Sequence, residues 1–153
     1  MIIRQAQMAD LDAIYAIELE NFSPEEAISR KILAKHIETI PSTFLVAEKN
    51  GKILGYLEGP VRPERYLKDI SFTEDIEDYS YLAGGFISVT SLSISKEAQG
   101  LGVGKALLKV MMLIRMKLFY IRKMEIHSYL QMQTLLHIMK TMQFCLKLKT
   151  EKK

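Results

Sequence analysis

A mixed central sheet flanked by helices, an α/β (α+β) domain, is the fold class this sequence predicts. Three observations point to it. A glycine-rich stretch, Gln99-Gly100-Leu101-Gly102-Val103-Gly104-Lys105-Ala106, joins a strand-like run to an apolar helical pattern. Asn50-Gly51 separates two β-rich runs, the signal of a tight hairpin. Two helix starts stand between a short first strand and that hairpin, so helices interrupt the sheet before it is built.

In chain order, Met1 to Ala6 reads as the first strand. Asp10 is the expected N-cap of a helix through Glu20, with Leu11, Ile14, Tyr15 and Glu18 at helical spacing. Ser23-Pro24-Glu25-Glu26 predicts a second helix start, with serine as cap, proline at the first helical position and glutamate completing a capping box. Ile28, Ile32, His36 and Ile37 carry that helix to Pro41. Thr43 to Lys49 and Lys52 to Glu58 are the hairpin strands, and Gly59-Pro60 ends them. Residues 60–85 show no clear period and hold an acidic cluster, Glu74, Asp75, Glu77 and Asp78, beside Tyr79 and Tyr81. Phe86 to Ile94 resumes strand character and feeds the glycine loop, and residues 106–114 form an apolar helix.

Length and composition bound the rest. The 153 residues suit a single domain over 1–153 with a substantial core. Hydrophobic and charged fractions of 48% and 25% are those of a soluble globular protein. No apolar run reaches the 18 or so residues of a membrane span, and no signal-peptide pattern opens the chain. Cys145 is the only cysteine, so no internal disulfide forms, and the cytoplasm is the expected location. The net charge of +3 hides an asymmetry. Residues 1–104 carry 10 Lys/Arg against 16 Asp/Glu, a balance of −6, and residues 105–153 carry 11 against 2, a balance of +9. That basic half could attract nucleic acid or line the side where an anionic ligand lies. It lacks the interleaved aromatics of nucleic-acid binders, so a solvated helical face is favoured.

The glycine loop carries the chemistry. Without Cβ atoms its amides can approach a ligand closely, and the following helix adds unpaired N–H groups and the positive end of its dipole. A phosphate or pyrophosphate fits both. The Walker loop is excluded, because Gly104-Lys105 is followed by Ala106 and no glycine stands at the required spacing before it. The Rossmann fingerprint fails too, since Gly100, Gly102 and Gly104 are spaced by two throughout. Gln99, Gly102 and Gly104 do meet the pattern Gln/Arg-x-x-Gly-x-Gly/Ala. That pattern, in this order of elements, resembles the GCN5-related N-acetyltransferase (GNAT) superfamily. The resemblance implies the GNAT fold and an acetyl-CoA co-substrate. Its pyrophosphate would lie on Gln99, Gly100, Leu101, Gly102, Val103, Gly104 and Lys105, and its pantetheine arm along Leu92, Ser93 and Ile94. A main-chain N–H around Ser93-Ile94 would polarise the thioester carbonyl.

A narrower resemblance covers about residues 1–110. Phe22 to Ala27, Ile40 to Glu48 and Gly55 to Val61 look like the arylalkylamine (serotonin-type) N-acetyltransferase branch. This implies a small-molecule acceptor with a primary amine on a hydrophobic or aromatic skeleton. The acidic, tyrosine-bearing segment 72–82 would suit a cationic amine, and a solvated loop explains it at least as well. That branch places two histidines in a proton path on the strand before the loop, and Ser88 and Thr90 occupy the matching positions here. Neither is a base at neutral pH, although hydroxyls can order water.

The last third departs from the pattern. All eight glycines fall between Gly51 and Gly104, and seven of nine methionines between Met111 and Met142. Lys123 to Tyr129 is the expected next strand and Thr134 to Met142 the next helix. Family members commonly end that helix in Tyr-x-x-x-Gly-Phe, the tyrosine protonating the departing thiolate. The matching stretch runs from Met139 to Phe144, so the proton donor is missing, with Tyr129 or Tyr120 as substitutes. Strong divergence or an altered reading frame over about residues 111–153 accounts for the shift.

The remaining candidates have plain structural readings. Glu20, Glu26 and Glu58 could face an acceptor, but Glu26 belongs to a capping box and the other two read as solvated. His36 reads as a surface or boundary residue. His127 and His137 lack a third ligand at metal spacing, so no metal site is expected. The methionines at 111, 112, 116, 139 and 142 are core filler or the surface of a homodimer. Ser88, Thr90 and Ser93 share a strand face or its border, where they either line a substrate or pack as ordinary strand residues. The reading is a cytoplasmic acetyl-CoA-dependent N-acetyltransferase of a small amine. A catalytically silent CoA-binding protein and a nucleic-acid or partner-binding module are the alternatives.

Overall fold

The computed structural model describes residues 1–66, 68–81 and 85–124, the last eight as backbone only. The elements run β1 (Ile2–Gln5), α1 (Leu11–Asn21), α2 (Arg30–Thr39), β2 (Phe44–Lys49), β3 (Lys52–Glu58), β4 (Val61–Arg62), β5 (Phe86–Ile87), β6 (Ser91–Ile94) and α3 (Val103–Met124). Four strands form one sheet in the order β1-β2-β3-β6, and β4 and β5 form a separate ribbon. Every strand pair among the described residues is antiparallel. Helices cover both faces. Ile14, Leu33, Phe44 and Tyr56 belong to a core on the side of α1 and α2, and Leu45, Leu57, Val103 and Leu107 to one under α3.

The hairpin forms as its turn residues require. Asn50 and Gly51 both take positive φ, +53° and +77°, as a type I′ turn demands. The β2–β3 register shifts between Ala47 and Glu48, a bulge that adds one residue on β3.

Four expectations are corrected. The second helix does not begin at Ser23. Glu26 and Ala27 donate to the Ser23 carbonyl in one isolated turn, and the Ile28 amide is then captured by the Glu18 carboxylate at 3.1 Å. The helix starts instead at Arg30, with the Ser29 hydroxyl accepting from Ile32 N–H. Asp10 precedes α1, but its carboxylate accepts from the Gln7 amide and from Arg4 and does not cap the helix.

The strand expected from Phe86 to Ile94 is broken at residues 88–90. Pro60 brings no N–H to the ladder, and the Ser88 carbonyl sits so close to Gly59 that a Cβ there would stand 2.3 Å from it. Finally, α3 continues through Met124, so Lys123 and Met124 are helical and not the start of a strand. The helix expected over residues 134–142, with Tyr129, His127, His137, Met139 and Cys145, lies outside the described residues.

Candidate active site

The glycine loop lies where β6 ends and α3 begins. Lys96–Ala98 make one 3-10 turn, and Gly100 and Gly102 then take φ of +77° and +80°. A Cβ on either glycine would meet nothing within 4 Å, so their open sides face space. Leu101 is exposed and Val103 buried, which anchors the loop from below. Ala106 N–H donates to the Gly102 carbonyl, closing the first turn of α3. The amides of Gly102, Val103, Gly104 and Lys105 precede that bond and donate to no group among the described residues. Four unpaired N–H groups therefore stand at the positive end of the helix dipole, with exposed Lys105 in the same turn.

Gln99 does a different job from the loop amides. Its side-chain amide donates to Asn21 Oδ1 at 3.0 Å and to the Ile94 carbonyl at 3.3 Å. Asn21 in turn donates to that carbonyl at 3.0 Å and to Ser93 Oγ at 2.9 Å. The two side chains pin the end of α1 to the end of β6 and hold the mouth of the loop. Glu20 stays exposed and accepts from Lys96 N–H at 2.9 Å, one more clamp on the same entry.

Pairing sets which main-chain groups of β6 are free for a ligand. Ser93 lies opposite Tyr56 and Ile94 opposite Gly55. Ser95 N–H donates to Leu54 O, which fixes the phase. By antiparallel alternation Ser91 and Ser93 turn their amides toward β3, and Leu92 and Ile94 turn theirs to the opposite edge. Of the pair expected to polarise a carbonyl, Ile94 faces outward and Ser93 does not.

On the face under α1 and α2 the structure holds two buried chains of hydrogen bonds. Both end on hydroxyls at the start of β6. In the first, His36 Nε2 donates to the Thr73 carbonyl at 2.9 Å, and Nδ1 meets Glu58 Oε2 at 2.7 Å. Thr90 Oγ1 donates to the other oxygen, Glu58 Oε1, at 3.2 Å. In the second, Tyr56 OH donates to Glu18 Oε2 at 2.5 Å and shares a 2.9 Å bond with Ser91 Oγ. His36 and Glu58 are 0% exposed and Glu18 1%. The expectations of a solvated Glu58 and a surface His36 are thus overturned. Tyr56 and Glu58 alternate with Leu57 onto the helix face, and α2 lays His36 across them.

Burial works against the charged form of His36, but the Glu58 carboxylate and the Thr73 carbonyl outweigh it and raise its pKa. Burial, reinforced by the Glu18 carboxylate, pushes the Tyr56 phenol far up, so it stays protonated. Of the hydroxyls expected to line a proton path, Thr90 is half-buried and joined to this network. Ser88 is joined through its amide alone, to the Pro60 carbonyl. Because the strand breaks before Ser91, the residues sharing a face are Ser91 and Ser93, and not Ser88, Thr90 and Ser93.

The acidic segment is occupied from within. Glu74 pairs with Lys31 at 2.7 Å, Asp78 accepts from the Ser80 amide and hydroxyl, and the Tyr79 phenol donates to Glu77. The Tyr79 ring covers the Arg62 guanidinium at 5.1 Å. No group of three or more His, Cys, Asp or Glu at metal-binding distance occurs among the described residues.

The acetyltransferase (GNAT) family model matches residues 11–127. An uncharacterised N-acetyltransferase of Methanocaldococcus jannaschii is 32% identical over 111 residues, 72% of this chain and 56% of that protein. Among solved structures, the loading GNATL domain of CurA from Lyngbya majuscula aligns with a TM-score of 0.61 at 20% identity, over 72% of this chain and 55% of that one. The diaminobutyrate acetyltransferase EctA of Paenibacillus lautus, solved with L-2,4-diaminobutyric acid and coenzyme A, aligns with a TM-score of 0.55 at 15% identity, over 72% and 55%. The chain spans a little over half the length of these relatives. Among the described residues no helix is long and apolar enough to cross a membrane.

Proposed function

The chain belongs to the acetyltransferase (GNAT) family, and from that premise we propose that it moves an acetyl group from acetyl-CoA to the primary amine of a small, arylalkyl-type molecule. The observation that carries this reading is the set of free amides from Gly102 to Lys105 beneath two cleared glycines. They fit a diphosphate in both charge and access. EctA, which shares the fold, was solved with coenzyme A and a diamino acid, and this supports a CoA thioester paired with an amine acceptor. The likeness of residues 1–110 to the serotonin-type branch supports the arylalkyl acceptor.

Acetyl-CoA supplies an activated thioester. This chain's residues do the rest. The α3 amides and Lys105 fix the phosphate end, while the outward main chain of Leu92 and Ile94 gives an extended arm a strand edge to lie along. An N–H on that edge stabilises charge developing on the thioester oxygen. Holding amine and carbonyl in line converts a bimolecular encounter into an intramolecular one, a large share of the acceleration in direct-attack transfer.

Isothermal calorimetry with acetyl-CoA, followed by a thiol-release assay against tryptamine, phenethylamine and polyamines, tests the reading. Heat of binding and thiol release with an arylalkylamine are expected. Binding without release for any amine identifies a silent CoA-binding protein. No binding removes the transferase reading altogether.

A further inference from the structure

We propose that Thr90 is the residue that touches the acceptor amine and passes its proton to Glu58, with His36 as the positioning residue that holds Glu58 for the task. This deepens the reading above and rests on its amine acceptor. An amine is an ammonium ion near neutral pH and cannot attack a carbonyl until it loses a proton. Among the groups described around the start of β6, one hydroxyl connects partly open space to a buried carboxylate. Thr90 is half-buried, and its Oγ1 lies 3.2 Å from Glu58 Oε1. It stands just before β6, two residues from Leu92, whose main chain faces the ligand edge.

The two carboxylate oxygens divide the work. Oε2 is held by His36 Nδ1 at 2.7 Å, which leaves Oε1 to Thr90. His36 is itself fixed, because Nε2 donates to the Thr73 carbonyl. With both ring nitrogens engaged the imidazole cannot turn, and the carboxylate keeps its aim. The transfer balances. One N–H bond of the ammonium breaks as a new O–H bond forms on Thr90, and the hydroxyl's own proton moves to Glu58 Oε1. A neutral amine and a protonated Glu58 result, and the proton returns through Thr90 to solvent after the product leaves. The neighbouring chain from Tyr56 to Ser91 takes no part, since Tyr56 is locked as a donor to Glu18.

The test is a thiol-release assay of Thr90→Val, close to threonine in shape, against two acceptors. Phenethylamine is protonated at assay pH, and its β,β-difluoro analogue is a far weaker base and is largely neutral. Loss of a relay that deprotonates the ammonium before attack slows chiefly the acceptor that arrives as an ammonium ion. Thr90→Val is expected to lower kcat/KM for phenethylamine by about a hundredfold, at the lower end of general-base effects. For the difluoro analogue the expected loss is less than about tenfold. Glu58→Gln, if it melts as the wild type does, is expected to show the same selectivity. Equal slowing of both amines by Thr90→Val, or no slowing of phenethylamine, overturns the relay while leaving the transferase intact. A wild type that binds acetyl-CoA but acetylates neither amine overturns the acceptor reading first, and the relay with it.

Discussion

At the scale of single residues, the buried pair His36–Glu58 is an unusual commitment for a small domain. Removing one partner from a buried pair leaves an uncompensated charge, which typically costs about 3–5 kcal/mol. The intact pair is tolerated in the core because both imidazole nitrogens and both carboxylate oxygens have partners. The folded pKa of His36 is raised above its unfolded value. Its contribution to stability is therefore fully present below the unfolded pKa of about 6.5 and is lost as pH rises through the folded one. Urea midpoints measured from about pH 6 to pH 9 should fall across that window in the wild type and stay flatter in His36→Gln. An identical slope in the two proteins would show that His36 does not titrate as its surroundings dictate.

At the scale of elements, the junction of β6 and α3 is built for access and not for strength. Gly100 and Gly102 occupy left-handed backbone that side chains disfavour, and neither contributes packing. Gly102→Val places a branched side chain beside the unpaired amides of the first turn of α3. The expected result is at least about a hundredfold loss of acetyl-CoA affinity, or some 2.7 kcal/mol, read by calorimetry. Gly51→Val is the control for strain, since Gly51 has a positive φ of +77°, against +80° at Gly102, and open surroundings in the β2–β3 turn. It should carry similar backbone strain with affinity intact. Equal affinity in both variants would remove the loop's role, and equal loss would assign the effect to strain.

Across the whole molecule, the sheet separates two cores and presents one loop from its edge, so ligand binding couples to folding through few contacts. A ligand that binds only the native state stabilises it by about 2.7 kcal/mol at a concentration of 100 Kd. For a chain of this length that corresponds to a rise in Tm of roughly 5 to 10 °C. Acetyl-CoA and CoA should both produce it, since the diphosphate is common to the two, and acetate should not. A rise with acetate alone, or none with CoA, would move the binding energy away from the loop.

What the sequence by itself determined is local. The turn at Asn50-Gly51 and the glycine loop were legible because each depends on backbone freedoms that belong to its own few residues. The order of strands and helices followed, since hydrophobic period and turn chemistry act within one element at a time. Three-dimensional contact decided the rest. Glu18 captured the Ile28 amide and moved the start of α2, and Gly59-Pro60 broke the strand that Ser88 and Thr90 would have shared. His36 and Glu58 lie 22 positions apart, and each alone reads as a polar residue bound for water. Only when α2 is laid over β3 do they find each other, because burying a charge is tolerable solely where a distant part of the chain supplies its partner.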